Sequence, residues 1–265
     1  MLEGIKKINR ILAYGCSYTA GDEIMDHIKM GISFEECNRI KQRYQVDYGQ
    51  GYDIAKFRIE FNILRDNPLH VRNSWAAILA KQLSVSFENR AVNGSGLDEH
   101  YFTIYNDYIT GKIKDTDLVL VGLTSIDRII DFRSDRPMPH NISLISSLIP
   151  EDEGSRLLVE LRNDDFLVFY YFKTIHLLHC FGSKINLMMQ PMRKMWTMPY
   201  INNLDIPYTK QYANSIWAEC KESILSELYL DDTIPLCGFG HPSLDSHILL
   251  AKQLEKPVRD KFQLF

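Results

Sequence analysis

Three short apolar runs constrain this chain more than any other feature, because each closes in a glycine or proline. They are Ile8 to Gly15 (INRILAYG), Asp117 to Gly122 (DLVLVG) and Lys184 to Gln190 (KINLMMQ, followed by Pro191). Near-continuous apolarity over so few residues marks a strand buried on both faces. A fourth run, SVSFENRAV, alternates as a strand does and runs into the turn Asn93-Gly94-Ser95-Gly96. Between the runs lie segments of helical spacing. NSWAAILAKQL places Trp75, Ile78, Leu79 and Leu83 on one face, with Asn73 or Ser74 as N-cap. LDEHYFTIYNDYI, a stretch from about Ser125, Arg156 to Phe181, Tyr208 to Leu228 and Pro242 to Lys256 also read as helices. Strands alternating with helices imply α/β architecture: a three-layer sandwich whose parallel sheet has about five strands. We expect one domain over residues 1–265, interrupted twice. Residues of about 22–70 are polar and aromatic, and should form a cap-like insertion over the C-terminal edge of the sheet. Residues of about 133–155 carry three prolines and read as a long surface loop.

Composition narrows the partners. The 265 residues are 45% hydrophobic and 24% charged, as in a globular protein with a sizeable core. A net charge of −4 supplies no basic field for nucleic acid or an anionic membrane, so neither is expected as a partner. The first residues, MLEGIKKINRILAYG, lack the apolar stretch of a signal peptide. The apolar-rich run Phe166 to Cys180 is interrupted by Lys173, His176 and His179, which suits a buried helix rather than a membrane span. Five scattered cysteines without a CxxC pair suit reduced thiols and offer no zinc framework. A cytoplasmic location is expected.

In a parallel sheet the working residues sit on the loops after the strand C-termini. The first run ends in Gly15-Cys16-Ser17-Tyr18-Thr19, a tight turn that would expose a serine hydroxyl; the plain alternative is a serine that caps a helix. The second ends at Asn93-Gly94-Ser95-Gly96, where glycine lets a backbone N–H approach a ligand closely. The third ends at Gly122-Leu123-Thr124-Ser125, and near the C-terminus Gly240-His241-Pro242-Ser243 puts a histidine just before a helix.

In this order the four segments resemble the SGNH (GDSL-type) hydrolases. GCSYT resembles the nucleophile block, ENRAVNGSG the glycine block, VLVGLTS the asparagine block and GHPSLDSH the histidine block. NSWAAILAKQL resembles the helix that precedes the second block in phage and bacterial members. The resemblance implies a Ser17 nucleophile, a His241 general base and an oxyanion hole made by the N–H groups of Ser17 and Gly94 with the Thr124 hydroxyl. It implies acyl-ester hydrolysis without cofactor or metal, on a small-molecule or glycan ester. Acyl transfer to a sugar or protein would use the same residues. Arg43, Tyr44, Tyr48 and Tyr52 in the insertion favour a polar substrate such as an O-acetylated sugar.

Three positions depart from the family pattern. Cys16 stands where aspartate is usual, Thr124 where asparagine is usual, and Gly238 and Phe239 where the acid that orients the histidine belongs. Asp231 or Asp232 would then replace that acid, with Asp245 or a main-chain carbonyl as alternatives. A fold retained as a glycan- or protein-binding module is the non-enzymatic alternative. Other chemistry has weaker support. Cys16 is a second conceivable nucleophile, and His176 with His179 a conceivable metal pair, although packed core histidines are the expected reading. Asp22, Glu23, Asp26 and His27 could gather a metal, but suit a solvated helix start better. His247 is expected to pack inside the last helix, and no nucleotide-binding glycine motif is present.

Overall fold

A computed structural model describes residues 8–22, 24–48, 52–63, 68–92, 94–126, 128–131, 140–143, 164–192, 201–202, 205–226 and 241–262. Its centre is a parallel sheet of strands β1 (Arg10–Tyr14), β2 (Ser86–Asn89), β3 (Asp117–Leu123) and β6 (Asn186–Pro191), in the order β2-β1-β3-β6. Among the described residues the sheet has four strands, close to the expectation of about five. β1 pairs on both sides: Ile11 lies opposite Phe87 and Leu118, and Ala13 opposite Asn89 and Leu120. At the N-terminal edge the Arg10 guanidinium bridges its neighbours, 2.6 Å from Asp117 and 2.8 Å from Glu88.

Side chains alternate across the strands and so feed two cores. On one face Ile11, Ala13, Leu118, Leu120 and Met188 pack against α6 (Trp75–Gln82) and α10 (Leu244–Phe262). On the other, Leu12, Tyr14, Val119, Val121 and Met189 pack against α7 (Leu97–Ile109), α8 (Asp164–Phe181) and α9 (Pro207–Glu219). This is the expected sandwich of helices around a parallel sheet. The run Phe166 to Cys180 is part of α8, whose Val168, Phe172, Ile175 and Leu178 are buried. Among the described residues, no helix is long and apolar enough to cross a membrane.

Three sequence expectations change. The helix expected from Ser125 is instead β4 (Arg128–Asp131), paired antiparallel with β5 (His140–Ser143). β5 lies within the stretch read as a loop. Both segments carry β-branched isoleucines that favour extended backbone. The helix expected over 208–228 stops at Glu219, continues as a 3-10 turn over Cys220–Ser223 and then extends, so that Leu225 N–H donates to Met189 O at 2.8 Å. Edge pairing to β6 ends that helix. The last helix runs through Pro257 to Phe262, because Leu254 and Val258 on either side of the proline are buried in the first core.

Between β1 and α6 lie α1 (Ser17–Ala20), α2 (Asp26–Met30), α3 (Phe34–Tyr48), α4 (Tyr52–Glu60) and α5 (Pro68–Arg72). These helices occupy the stretch read as an insertion, and Cys37, Phe57 and Ile63 form a small core among them.

His247 ties α10 to α6. Fully buried, it accepts the Trp75 backbone N–H on Nδ1 at 3.0 Å, satisfying a first-turn donor that Ser74 does not cap. Burial, and secondarily the charge of His241, pushes its pKa down to about 3. An unfolded histidine titrates near its ordinary 6.5, so between that value and about 3 the unfolded chain binds the extra proton. The stabilisation is complete above the unfolded pKa and is lost as pH falls through the window. In the His247→Asn variant an amide oxygen can take the Nδ1 place without titrating. Its loss of melting temperature between about pH 7.5 and 4.5 should be smaller than the parent's; an equal loss would refute this role for His247.

Candidate active site

Ser17 begins α1 directly after β1, and the turn there is unusually close to the sheet. A Cβ on Gly122 would stand 1.9 Å from Thr19 Oγ1, and one on Gly15 would stand 2.2 Å from it. Glycine at the ends of two neighbouring strands therefore lets α1 settle on them. Thr19 is itself fully buried, its hydroxyl 3.8 Å from Met192 Sδ. Thr19 and Ala20 N–H both donate to Cys16 O, at 2.9 and 3.0 Å. Cys16 is fully buried within the first core, whereas Ser17 borders the site.

His241 Nε2 lies 2.8 Å from Ser17 Oγ across 224 positions of sequence. The Tyr18 ring packs 5.2 Å from the imidazole, at a tilt of 46°. Behind His241 the chain enters α10, where Ser243 Oγ lies 3.4 Å from Ser246 N and Ser243 O accepts from His247 N. Ser17 and His241, singled out separately in the sequence, are thus brought within hydrogen-bonding distance.

Gly94 and Thr124 follow β2 and β3, and so share the sheet edge with Ser17. Gly94 has φ +84°, in the left-handed region that favours glycine. Thr124 is fully buried and its hydroxyl donates to Ser95 O at 3.3 Å. To bind an oxyanion it would have to exchange that bond.

Asp22 and Asp26, which follow Ser17, are buried in ion pairs rather than solvated. Lys41 Nζ lies 2.7 Å from Asp26, and His70 Nε2 lies 3.1 Å from it; all three are 2% exposed or less. Burial alone would raise the Asp26 carboxyl, but His70 and Lys41 outweigh it and hold it below the ordinary range. Arg58 of α4 pairs with Asp22. The cap is thereby fixed to the segment that follows Ser17. Tyr44, expected to favour a polar substrate, is half-buried, packs 5.7 Å from the Phe57 ring and bonds the exposed Glu60, which ties it to α4. The Tyr48 and Tyr52 side chains, Glu23, and the candidate acids Asp231 and Asp232 lie outside the described residues. Asp245 stands exposed in the first turn of α10.

The pair His176 and His179 is half-buried at the surface, not packed in the core. His179 Nδ1 meets Ser223 Oγ at 2.8 Å, and His176 Nε2 lies 3.5 Å from Cys180 Sγ. His179 and Cys180 line a cleft of about 390 Å³ that includes Asn186, the first residue of β6, at the edge opposite Ser17. Among the described residues no three His, Cys, Asp or Glu side chains converge as metal ligands. The sequence reading missed Tyr18, Lys41, His70 and His100. Lys41 and His70 gave no signal, since a lysine and a histidine in polar sequence read as surface. Tyr18, next to the serine, and His100, one turn into the helix after the glycine turn, could have been flagged by position.

No family model matches the chain, and no curated protein matches it. Among solved structures the fold is similar to a member of the lipolytic protein G-D-S-L family from Veillonella parvula, at 12% identity and a TM-score of 0.42, covering 97% of this chain and 99% of that one. It is also similar to a family two carbohydrate esterase from Clostridium thermocellum, in complex with cellohexaose, at 14% identity and a TM-score of 0.49, covering 100% and 68%. An acetyl xylan esterase from Butyrivibrio proteoclasticus matches at 14% identity and a TM-score of 0.47, covering 98% and 65%.

The crowding around Thr19 is testable. Gly122→Ala forces a methyl group into the Thr19 hydroxyl and should destabilise the protein by about 2 kcal/mol or more, several degrees of melting temperature. Adding Thr19→Ala removes the atom at 1.9 Å and leaves Cβ at 3.2 Å, so the double variant should recover part of the loss. Additive losses in a thermal-melt double-mutant cycle would contradict the close approach.

Proposed function

We propose that this protein is a serine hydrolase of the SGNH type that cleaves an acyl ester. The observation that carries the reading is the 2.8 Å contact between Ser17 Oγ and His241 Nε2 at the C-terminal edge of a parallel sheet. Ser17 Oγ attacks the acyl carbon as His241 Nε2 takes its proton. The imidazolium returns that proton to the leaving alcohol oxygen, which departs from the tetrahedral intermediate. Water then attacks the acyl-serine, giving its proton to His241, and Ser17 regains a proton as the carboxylic acid leaves. Thr19 and Ala20 N–H are committed to Cys16 O, and the N–H of Ser17, at the start of α1, is the proposed oxyanion donor together with Gly94 N–H. Each such donor is worth roughly 3 kcal/mol in the transition state.

For Nε2 to accept the Ser17 proton, Nδ1 of His241 must carry the other. Asp231 or Asp232 is the proposed acceptor for it, with a main-chain carbonyl as the alternative. The substrate class proposed is a polar ester, such as an O-acetyl group on a carbohydrate. Support comes from the outer face of α3, where Glu35, Arg39 and Arg43 are exposed instead of the apolar surface of a lipase lid. Catalysis needs no metal in this scheme.

A fluorophosphonate should label the protein covalently at Ser17 and nowhere else. Ser17→Ala should abolish both labelling and hydrolysis of p-nitrophenyl acetate or acetylated sugars while melting as the parent does. Cys16→Ser should keep most activity. Failure of folded parent protein to label would favour the binding module. Release of the acyl group only when a sugar acceptor is present would identify a transferase.

The acid has its own test. Asparagine at the triad acid costs on the order of 10³- to 10⁴-fold in turnover. One of Asp231→Asn and Asp232→Asn should show a loss of that size, with Asp245→Asn near the parent rate. If none changes the rate by more than about threefold, the site works as a dyad.

A further inference from the structure

A second serine–histidine contact lies beside the first. Ser95, fully buried, has its Oγ 2.6 Å from His100 Nε2, 2.7 Å from Val92 O and 3.0 Å from Gly15 O. A hydroxyl has one proton, and both carbonyls can only accept. If Ser95 gave its proton to the histidine, its oxygen would face two carbonyl oxygens with no proton between them. The Ser95 proton therefore goes to a carbonyl, and His100 Nε2–H is the donor to Ser95 Oγ. This fixes the tautomer of His100, which is 4% exposed.

The bonds that meet at Ser95 join the loops after three strands. Its N–H donates to Val92 O at 3.1 Å, and its carbonyl accepts from Thr124 Oγ1 at 3.3 Å. Val92 N–H in turn donates to Gly15 O at 2.8 Å. Gly15 stands two residues before Ser17, and Gly94 immediately before Ser95. The nucleophile turn and the glycine turn are therefore held to each other by the Val92 N–H bond and by the Ser95 hydroxyl seated between their carbonyls, and that hydroxyl is held by His100.

We propose that Ser95 and His100 are positioning residues that set the Gly94 N–H against the oxyanion formed at Ser17. The proposal rests on the hydrolase reading above. Its physical basis is the steep dependence of transition-state stabilisation on donor placement, where a displacement of about 1 Å costs on the order of 100-fold. Neither residue touches the reacting atoms, so their effect should fall on turnover and not on substrate affinity.

The experiment compares parent protein, Ser95→Ala, His100→Leu and His100→Gln. The glutamine amide nitrogen can reach the Nε2 place and donate as the imidazole does; leucine cannot. Each variant is first checked for a cooperative melt. The rate of fluorophosphonate labelling at Ser17 and the kcat per labelled site should then fall about 10- to 100-fold in Ser95→Ala and His100→Leu, with KM within about twofold. His100→Gln should stay within about threefold of the parent. Nitrogen-15 NMR of the parent should show the His100 proton on Nε2. Variants that melt at lower temperature yet react at the parent rate per site would overturn the proposal and leave the hydrolase reading standing. So would a His100→Gln loss as large as that of His100→Leu, or a proton on Nδ1 alone. A parent protein that does not label at all would overturn the hydrolase reading and this proposal with it.

Discussion

Strand β1 is paired on both flanks by parallel partners, and the rest of the molecule follows from that constraint. Parallel pairing sends the chain ends of β1, β2 and β3 to one edge, where Ser17, Gly94 and Thr124 arrive together. The connection from β1 leads to β2 on one side, while that from β3 leads to β6 on the other. Such a switch point is where open α/β sheets form a crevice, and Ser17 follows β1 there. The Arg10 bridge to Asp117 and Glu88 secures the opposite end of the same three strands.

Much of this was legible in the sequence, for a reason that can be stated. INRILAYG, DLVLVG and KINLMMQ are apolar on successive residues because both faces of each strand are covered, and such runs admit few other readings. Ser17 and His241 were legible as candidates as well, since a serine and a histidine beside strand- and helix-end signals stand out, and the fold brings them together. What was illegible was non-local. The 208–228 segment looks helical throughout, and only pairing of Leu225 to Met189, thirty-odd residues back, stops it at Glu219. RIID after Ser125 became a strand for want of a helix-length run, and its partner lay in sequence that reads as loop. Asp26 looks solvated until Lys41 and His70 are seen to enclose it.

Histidine serves this fold in several chemically distinct ways. His241 meets a hydroxyl at the crevice. His247 is a permanent acceptor for a helix N-terminus, kept neutral by burial. His70 lies against a buried carboxylate, and His100 donates to a serine. The residue that titrates most readily in water is thus confined, at three of these four positions, to surroundings that leave it 4% exposed or less.

The ion pairs of the cap bear on how such a domain can be re-engineered. Asp22 and Asp26 lie at the start of the insertion, and their partners Arg58, Lys41 and His70 come from the helices that follow, α4, α3 and α5. An exchange that began only at α3 would strand two carboxylates in the interior, each uncompensated at several kcal/mol. Any graft that respects the electrostatics must carry the acids along with the helices. The unit for recombination therefore begins at about residue 22, where the sequence changes character, and not at the first long helix.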